Sequence, residues 1–421
     1  MNALIEGQRI HGRQDMSTEF INKWGEQHSF ALQILDDERR SRHVRILAEF
    51  LRDATASITH RQTTAKPTYY VYADVQILDW FINQRRGRLV DLKTRCLEGI
   101  FYLLRDVLDF ESRSLTGIEV HSSKKMVPRV LHERIECLRA VIEETQCVYT
   151  NIVGEQYSWK YPLIEYNSME EYVIEEPRIS GLCKFSCFPQ TEFHDEVIFI
   201  RTIHIAEFCF WGLRLGVVEA LEHIKRSNNL IAEQVLAQAN GFAQILHLTF
   251  VLLKTMPASH FADFREATGN ASAVQSRAYQ LMEVYFFGVD ARKLTVFEKD
   301  RNLKSLKKFY HPEFITLKTA LGRLQSDPVT WKGTIDQARV LDKQLLSWRG
   351  LHLAFAKSYL PQSAESGTGG TAGAAYLRQY LRNNLFEDTQ VDFDVIQLVF
   401  PDLPEIRDLF RVQPGTSIAP E

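Results

Sequence analysis

Several things are scarce in this sequence. Cysteine is one: six occur in 421 residues. A secreted disulfide scaffold is far shorter and denser in cysteine, so reduced thiols are expected. Cys183 and Cys187 lie four apart with no second cysteine or histidine pair at zinc-finger spacing, which argues against a zinc site. There is no excess of basic charge: 50 Lys and Arg face 53 Asp and Glu, for a net charge of -3. Nucleic acid is therefore not an expected partner, and mixed runs such as Asp37 to His43 read as solvated helix faces. Long apolar runs are missing too. The stretch from Gly241 to Leu253 is too short for a bilayer span and is interrupted by Gln244 and His247, so no membrane association is expected. The first residues, Met1 to Arg9, lack an apolar signal core, which points to a cytoplasmic location. Strict apolar–polar alternation bounded by turns is almost absent, and so is any internal repeat.

What is present is helical periodicity, and it predicts an all-α protein large enough for a substantial core. Leu32, Leu35, Val44, Ile46, Leu47, Phe50 and Leu51 fit one charged helix. Val75 to Ile82, Leu97 to Leu108 and Val130 to Val148 give three more. Residues 1–150 read as a helical module of unknown role. A turn-rich passage from Thr150 to Pro189 follows, and residues 151–421 read as a second domain. Long helices are expected there near 191–225, 229–255, 273–287, 336–360 and 374–383, with a glycine-rich loop, 363–373, between the last two.

Four stretches could carry chemistry. The helix from Thr191 to Ile224 is apolar nearly all round and hence buried. Phe199, Ile203, Ala206 and Phe210 share one stripe, and His204 and Glu207 stand three apart on another. His204 reads either as a core histidine satisfied by Glu207 or as a polar group at a cofactor pocket. On the helix from Asp336 to Leu360 the stripe Leu341, Leu345, Trp348, His352, Phe355, Tyr359 sets a histidine among aromatics. Taken alone this is a core residue; it is also where a haem iron would find a neutral imidazole on a rigid helix. Gly367-Thr368-Gly-Gly-Thr-Ala-Gly373 is no phosphate loop, since neither the lysine nor the preceding strand is there, but its bare backbone can approach a ligand closely. Phe264-Arg265 opens a segment running to Ser276 in which the guanidinium could fork onto a carboxylate.

Together and in this order these segments resemble the tryptophan 2,3-dioxygenase family over about Thr191 to Leu377. His194-Asp-Glu-Val-Ile-Phe-Ile with Glu207 is similar to the family's distal helix, and Phe264-Arg265 through Ser272 to its carboxylate-binding segment. Trp348-Arg349-x-x-His352 is similar to its proximal-ligand helix, and Gly367 to Gly373 with Tyr376-Leu377 to its closing loop. The resemblance implies heme b as cofactor, with His352 as axial ligand and Trp348, Ser272 and Gly367 beside it. It implies that Arg265 and Thr368 hold the amino-acid head group, that Phe199 and Ile203 line the indole, and that His204 is the candidate catalytic base. The partners it implies are L-tryptophan or a related indole amino acid, O₂, and further copies of the chain in a homodimer or homotetramer. The reaction it implies is insertion of O₂ across C2–C3 of the indole, giving an N-formylkynurenine-type product. Single-oxygen insertion and a non-catalytic haem or tryptophan binder are the alternatives. Two departures stand out. With Glu196 and Glu207 in register, Ile203 occupies the family's distal histidine position and His204 follows it, a helical step of roughly 100° away. Val274 occupies a position where the family carries phenylalanine.

Overall fold

The computed structural model describes residues 18–41, 44–45, 48–49, 51–52, 55, 68–83, 89–117, 126–153, 177–269, 271–360, 377–378, 381 and 383–403. The fold is all-α; among the described residues there is no strand. The helices are α1 (Thr18–Asp36), α2 (Tyr69–Tyr72), α3 (Val75–Asn83), α4 (Leu89–Leu115), α5 (Pro128–Val153), α6 (Pro177–Phe185), α7 (His194–Lys225), α8 (Asn229–Lys254), α9 (Ala258–Arg265), α10 (Arg277–Phe287), α11 (Leu294–Lys299), α12 (Leu317–Leu324), α13 (Lys332–Tyr359) and α14 (Phe393–Val399). The glycine-rich stretch with Gly367 and Thr368 lies outside the described residues.

One expected helix is interrupted. The run drawn through Leu32 to Leu51 stops at Asp36, because Asp37 turns its carboxylate onto the backbone N–H of Arg39 at 3.1 Å. Short acidic side chains that bond their own backbone favour turns over helices. Helical residues resume at Val44, whose N–H the Ser41 hydroxyl receives at 3.4 Å. A second expectation also changes. By length and composition α8 is apolar enough to cross a membrane, since it extends well beyond the Gly241 to Leu253 run. Its buried residues, from Ala232 to Leu253, nevertheless pack along α13, as in the core of a helical protein.

The chain forms two compact units. One takes the chain up to Phe208 together with Thr255–Ala273; the other takes Cys209–Lys254 together with the chain from Val274 on. Helices α2 to α6 share a unit with the first half of α7, because their side chains supply its polar partners. In that unit α4 packs against α5 and α6, and α3 against α4 and α6. Gly99 of α4 admits the Phe208 ring, which would lie 2.7 Å from any Cβ placed there. In the second unit α8 lies along α13, α10 meets α12, and α13 meets α14.

Candidate active site

In the first unit the candidate residues lie on and around α7. The segment from His194 to Phe208 is buried at every position except Phe199 and Ile203. These two are four residues apart, hence on one face. Both pack against a buried cluster that includes Tyr69, Tyr72, Ala73, Val197, Ile200 and Ala271. The Phe199 ring also meets Phe261 at 5.4 Å and Phe264 at 5.5 Å, both from α9, the helix that ends in Arg265. Arg265 is half-buried, and its carbonyl accepts the Thr268 hydroxyl at 2.7 Å. Gly269 then reverses the chain at a φ of 60°, a left-handed conformation that glycine adopts without strain, and leads to buried Ser272.

His204 points elsewhere. It is fully buried, and both ring nitrogens are engaged: Nε2 with the Ala73 carbonyl at 2.8 Å, Nδ1 with the Arg201 guanidinium at 3.2 Å. A carbonyl only accepts and a guanidinium only donates, so the proton sits on Nε2. Burial and the Arg201 charge hold its pKa well below the usual histidine value, so the ring is neutral. Glu207 does not pair with it. The Tyr69 hydroxyl donates to Glu207 Oε1 at 2.6 Å instead.

The same stretch of α7 carries charges that the apolar reading passed over. Arg201, fully buried, donates to Asp106 at 2.6 Å, to the Cys183 carbonyl at 2.6 Å and to the Ser186 hydroxyl at 2.6 Å. Asp195 accepts from Arg134 at 2.6 Å, and Arg134 donates to Glu111 at 2.8 Å. Glu111 is bonded in turn to His194 at 2.9 Å, whose ring stacks on Phe110. Burial raises the Glu111 pKa, yet Arg134 and His194 more than offset that and hold the carboxyl below its ordinary range. A signal for these partners was present: a lone arginine inside an apolar helix demands a carboxylate, since an unpaired buried charge is prohibitive.

In the second unit α13 carries Trp348 and His352 one turn apart. The His352 ring lies 6.1 Å from Trp348 and 5.2 Å from Phe250, and Trp348 meets Phe210 at 5.5 Å and Tyr279 at 6.2 Å. His352 makes no hydrogen bond to any described residue, and burial pushes its pKa down to about 4. The Trp348 indole Nε1 is buried and has no hydrogen-bond partner among the described residues either. Beside them Arg349 is tied to Glu283 at 2.6 Å and to the Asn383 carbonyl, which anchors α13 against α10. Among the described residues no cluster of three or more His, Cys, Asp or Glu could hold a metal ion. A single neutral imidazole in an aromatic shell suits a metal whose other ligands come from a macrocycle, as in haem.

No protein-family model matches the chain. Curated relatives do. The tryptophan 2,3-dioxygenase of Bacillus thuringiensis subsp. konkukian is 23% identical over 261 residues, spanning 53% of this chain and 88% of its own length. The enzymes of the same name from Caulobacter vibrioides and Ruegeria pomeroyi are 23% and 24% identical over 237 and 243 residues, covering 89% and 84% of their lengths. These likenesses are consistent with a divergent member of the tryptophan 2,3-dioxygenase superfamily. Nearly the whole length of these relatives finds a counterpart in about half of this chain.

Set against the superfamily pattern, the structure corrects one assignment. His204 is a candidate base by sequence, but its nitrogens are committed to Ala73 and Arg201, so it has no acceptor left for a substrate proton. Ile203 shares the partly accessible face with Phe199. Tyr69, Asp106, Glu111 and Arg134 went unassigned in the sequence reading because they act from outside the segment that resembles the superfamily. Gly367 and Thr368 lie outside the described residues.

Proposed function

We propose that the protein is a haem-dependent oxygenase acting on the indole ring of L-tryptophan or a substituted tryptophan, adding both atoms of O₂ across C2–C3 to give an N-formylkynurenine-type product. The observation that carries this reading is the state of His352: neutral and ringed by aromatics, with no hydrogen bond to a described residue, one turn from the unpartnered Trp348 indole N–H. The names of the curated relatives support the substrate class.

In this reading His352 holds the haem iron through its imidazole, and the bound haem supplies activation of dioxygen. Arg265 takes the substrate carboxylate as a bidentate partner, which orients the amino acid. Phe199 and Ile203 form an apolar wall for the indole and exclude water from it. The resemblance also assigns Thr368 to the amino-acid head group and Ser272 to the cofactor. With His204 committed to Ala73 and Arg201, its imidazole does not take the indole N–H proton, and in this reading the proton stays on nitrogen. The aliphatic Ile203 in the distal position also favours a second reading, insertion of a single oxygen to give an oxindole or a hydroxylated product.

The test is spectroscopic and then chemical. Protein reconstituted with heme b shows a Soret band, and His352→Ala loses it. Incubation with tryptophan, reductant and ¹⁸O₂ yields a product carrying two labelled atoms; one labelled atom selects the second reading. A normal Soret band in His352→Ala, or no labelled product from the wild type, rejects the assignment.

A further inference from the structure

Helix α9 has eight residues, and its N-cap, Pro257, makes no side-chain capping bond. A helix of two turns does not stand by itself in water; tertiary contacts must hold it. Two kinds are present. Phe261 and Phe264 pack on Phe199 of α7. In the first turn, His260 Nδ1 lies 2.5 Å from Asp195 Oδ2, at the start of α7. Asp195 is fully enclosed and has its other oxygen on Arg134, while the His260 side chain is 21% exposed. An ionised carboxylate can only accept, so His260 Nδ1 carries the proton of this bond. Arg134 is itself held at Nη1 by Glu111 and at Nε by the Thr255 hydroxyl at 3.0 Å, three residues before α9 begins. One buried guanidinium from α5 thus braces both the start of α7 and the approach to α9.

We propose that His260 is a positioning residue for Arg265: its bond to Asp195, braced by Arg134, fixes the short helix that ends in Arg265 against the helix that bears Phe199 and Ile203. The consequence for function rests on the carboxylate role given to Arg265 above. Helices α4 and α5 then have a part in amino-acid recognition without touching substrate. They hold the carboxylate on which α9 is hung.

The test compares His260→Ala with His260→Asn, whose side-chain amide can still donate to Asp195. Hydrogen–deuterium exchange with mass spectrometry reads α9 directly, whatever the substrate. In His260→Ala the amides of residues 258–268 exchange at least about tenfold faster, those around His352 keep the wild-type rate, and His260→Asn stays near wild type. Optical titration of the haem protein then compares tryptophan with tryptamine, which lacks the carboxylate. His260→Ala loses about tenfold or more of the preference for tryptophan at unchanged haem content, and His260→Asn retains it. Unchanged exchange in His260→Ala overturns the proposal. So does an asparagine variant as deficient as the alanine one, since the hydrogen bond would then not be the cause. A wild type that prefers tryptophan, with that preference intact in His260→Ala, overturns it as well. A wild type with no preference for tryptophan over tryptamine rejects the carboxylate role of Arg265 instead, and the exchange result alone then decides whether His260 positions α9.

Discussion

His204 and His352 each sit inside a long helix, one in each unit, and each is kept neutral by burial. They differ in what their nitrogens touch. His204 closes a chain of bonds from Ala73 to Arg201 and on to Asp106. His352 has aromatic neighbours and no hydrogen bond to a described residue. The first arrangement satisfies a polar group inside a core; the second gives the ring no partner among the described residues, beside the buried Trp348 indole N–H that likewise has none among them. Buried polar groups without partners are uncommon and costly, and a ligand is a physical reason for one to persist. On the proposed reading, the contrast separates a histidine that holds the fold from one that would hold the cofactor.

The largest expected effect lies in the same unit as His204, at the ion network that ties the start of α7 to α4 and α5. Arg134→Met leaves Glu111 and Asp195 buried without their guanidinium, and the expected loss is about 3–5 kcal/mol of unfolding free energy in urea. A loss below about 1 kcal/mol would mean that the network is not what holds α4, α5 and α7 together.

Acid gives the next largest effect. The folded-state pKa of His352, about 4, lies below the ordinary 6.5, so the unfolded chain takes up the proton first as pH falls. The stability it contributes is complete above about pH 6.5 and drains away down to about pH 4, by roughly 3 kcal/mol in haem-free protein. His204, also depressed, acts in the same direction. Denaturation of His352→Leu across that window should show a shallower slope than the wild type. Parallel curves would mean that His352 titrates normally and is not sequestered.

The smallest effect is the most discriminating. Replacing each histidine by leucine in haem-free protein should cost about 1–3 kcal/mol at His204, where the Ala73 carbonyl and Arg201 lose a partner. At His352, where no bond to a described residue is lost, it should cost less than about 1 kcal/mol. Equal costs, read from matched thermal and urea melts, would erase the distinction.

Much of this was legible in the residues. The helical period placed α7, α8 and α13 within a few residues of their observed ends, and the stripe through Trp348 and His352 put both on one face before any contact was known. The register that set Ile203 in the distal position also follows from one helix: neighbours one residue apart point roughly 100° apart, so Ile203 and His204 cannot serve the same face. Local periodicity was enough for these because each depends on the geometry of a single element. Near Asp37 it was not, because a side chain there bonds its own backbone and stops the helix.

What only the tertiary structure decided is which partner each polar group takes. Nothing in the spacing of His204 and Glu207 says that the Ala73 carbonyl and the Tyr69 hydroxyl, more than 130 residues away, claim them instead. The same holds for Arg134, Asp195 and His260, which come from three helices, and for the joining of α2 to α6 with the start of α7 in one unit. Sequence determines which side chains must be buried, since hydrophobic burial follows the period of one helix. A buried charge or imidazole must be matched by a specific group at hydrogen-bonding distance, and that group is chosen by the way separate helices meet.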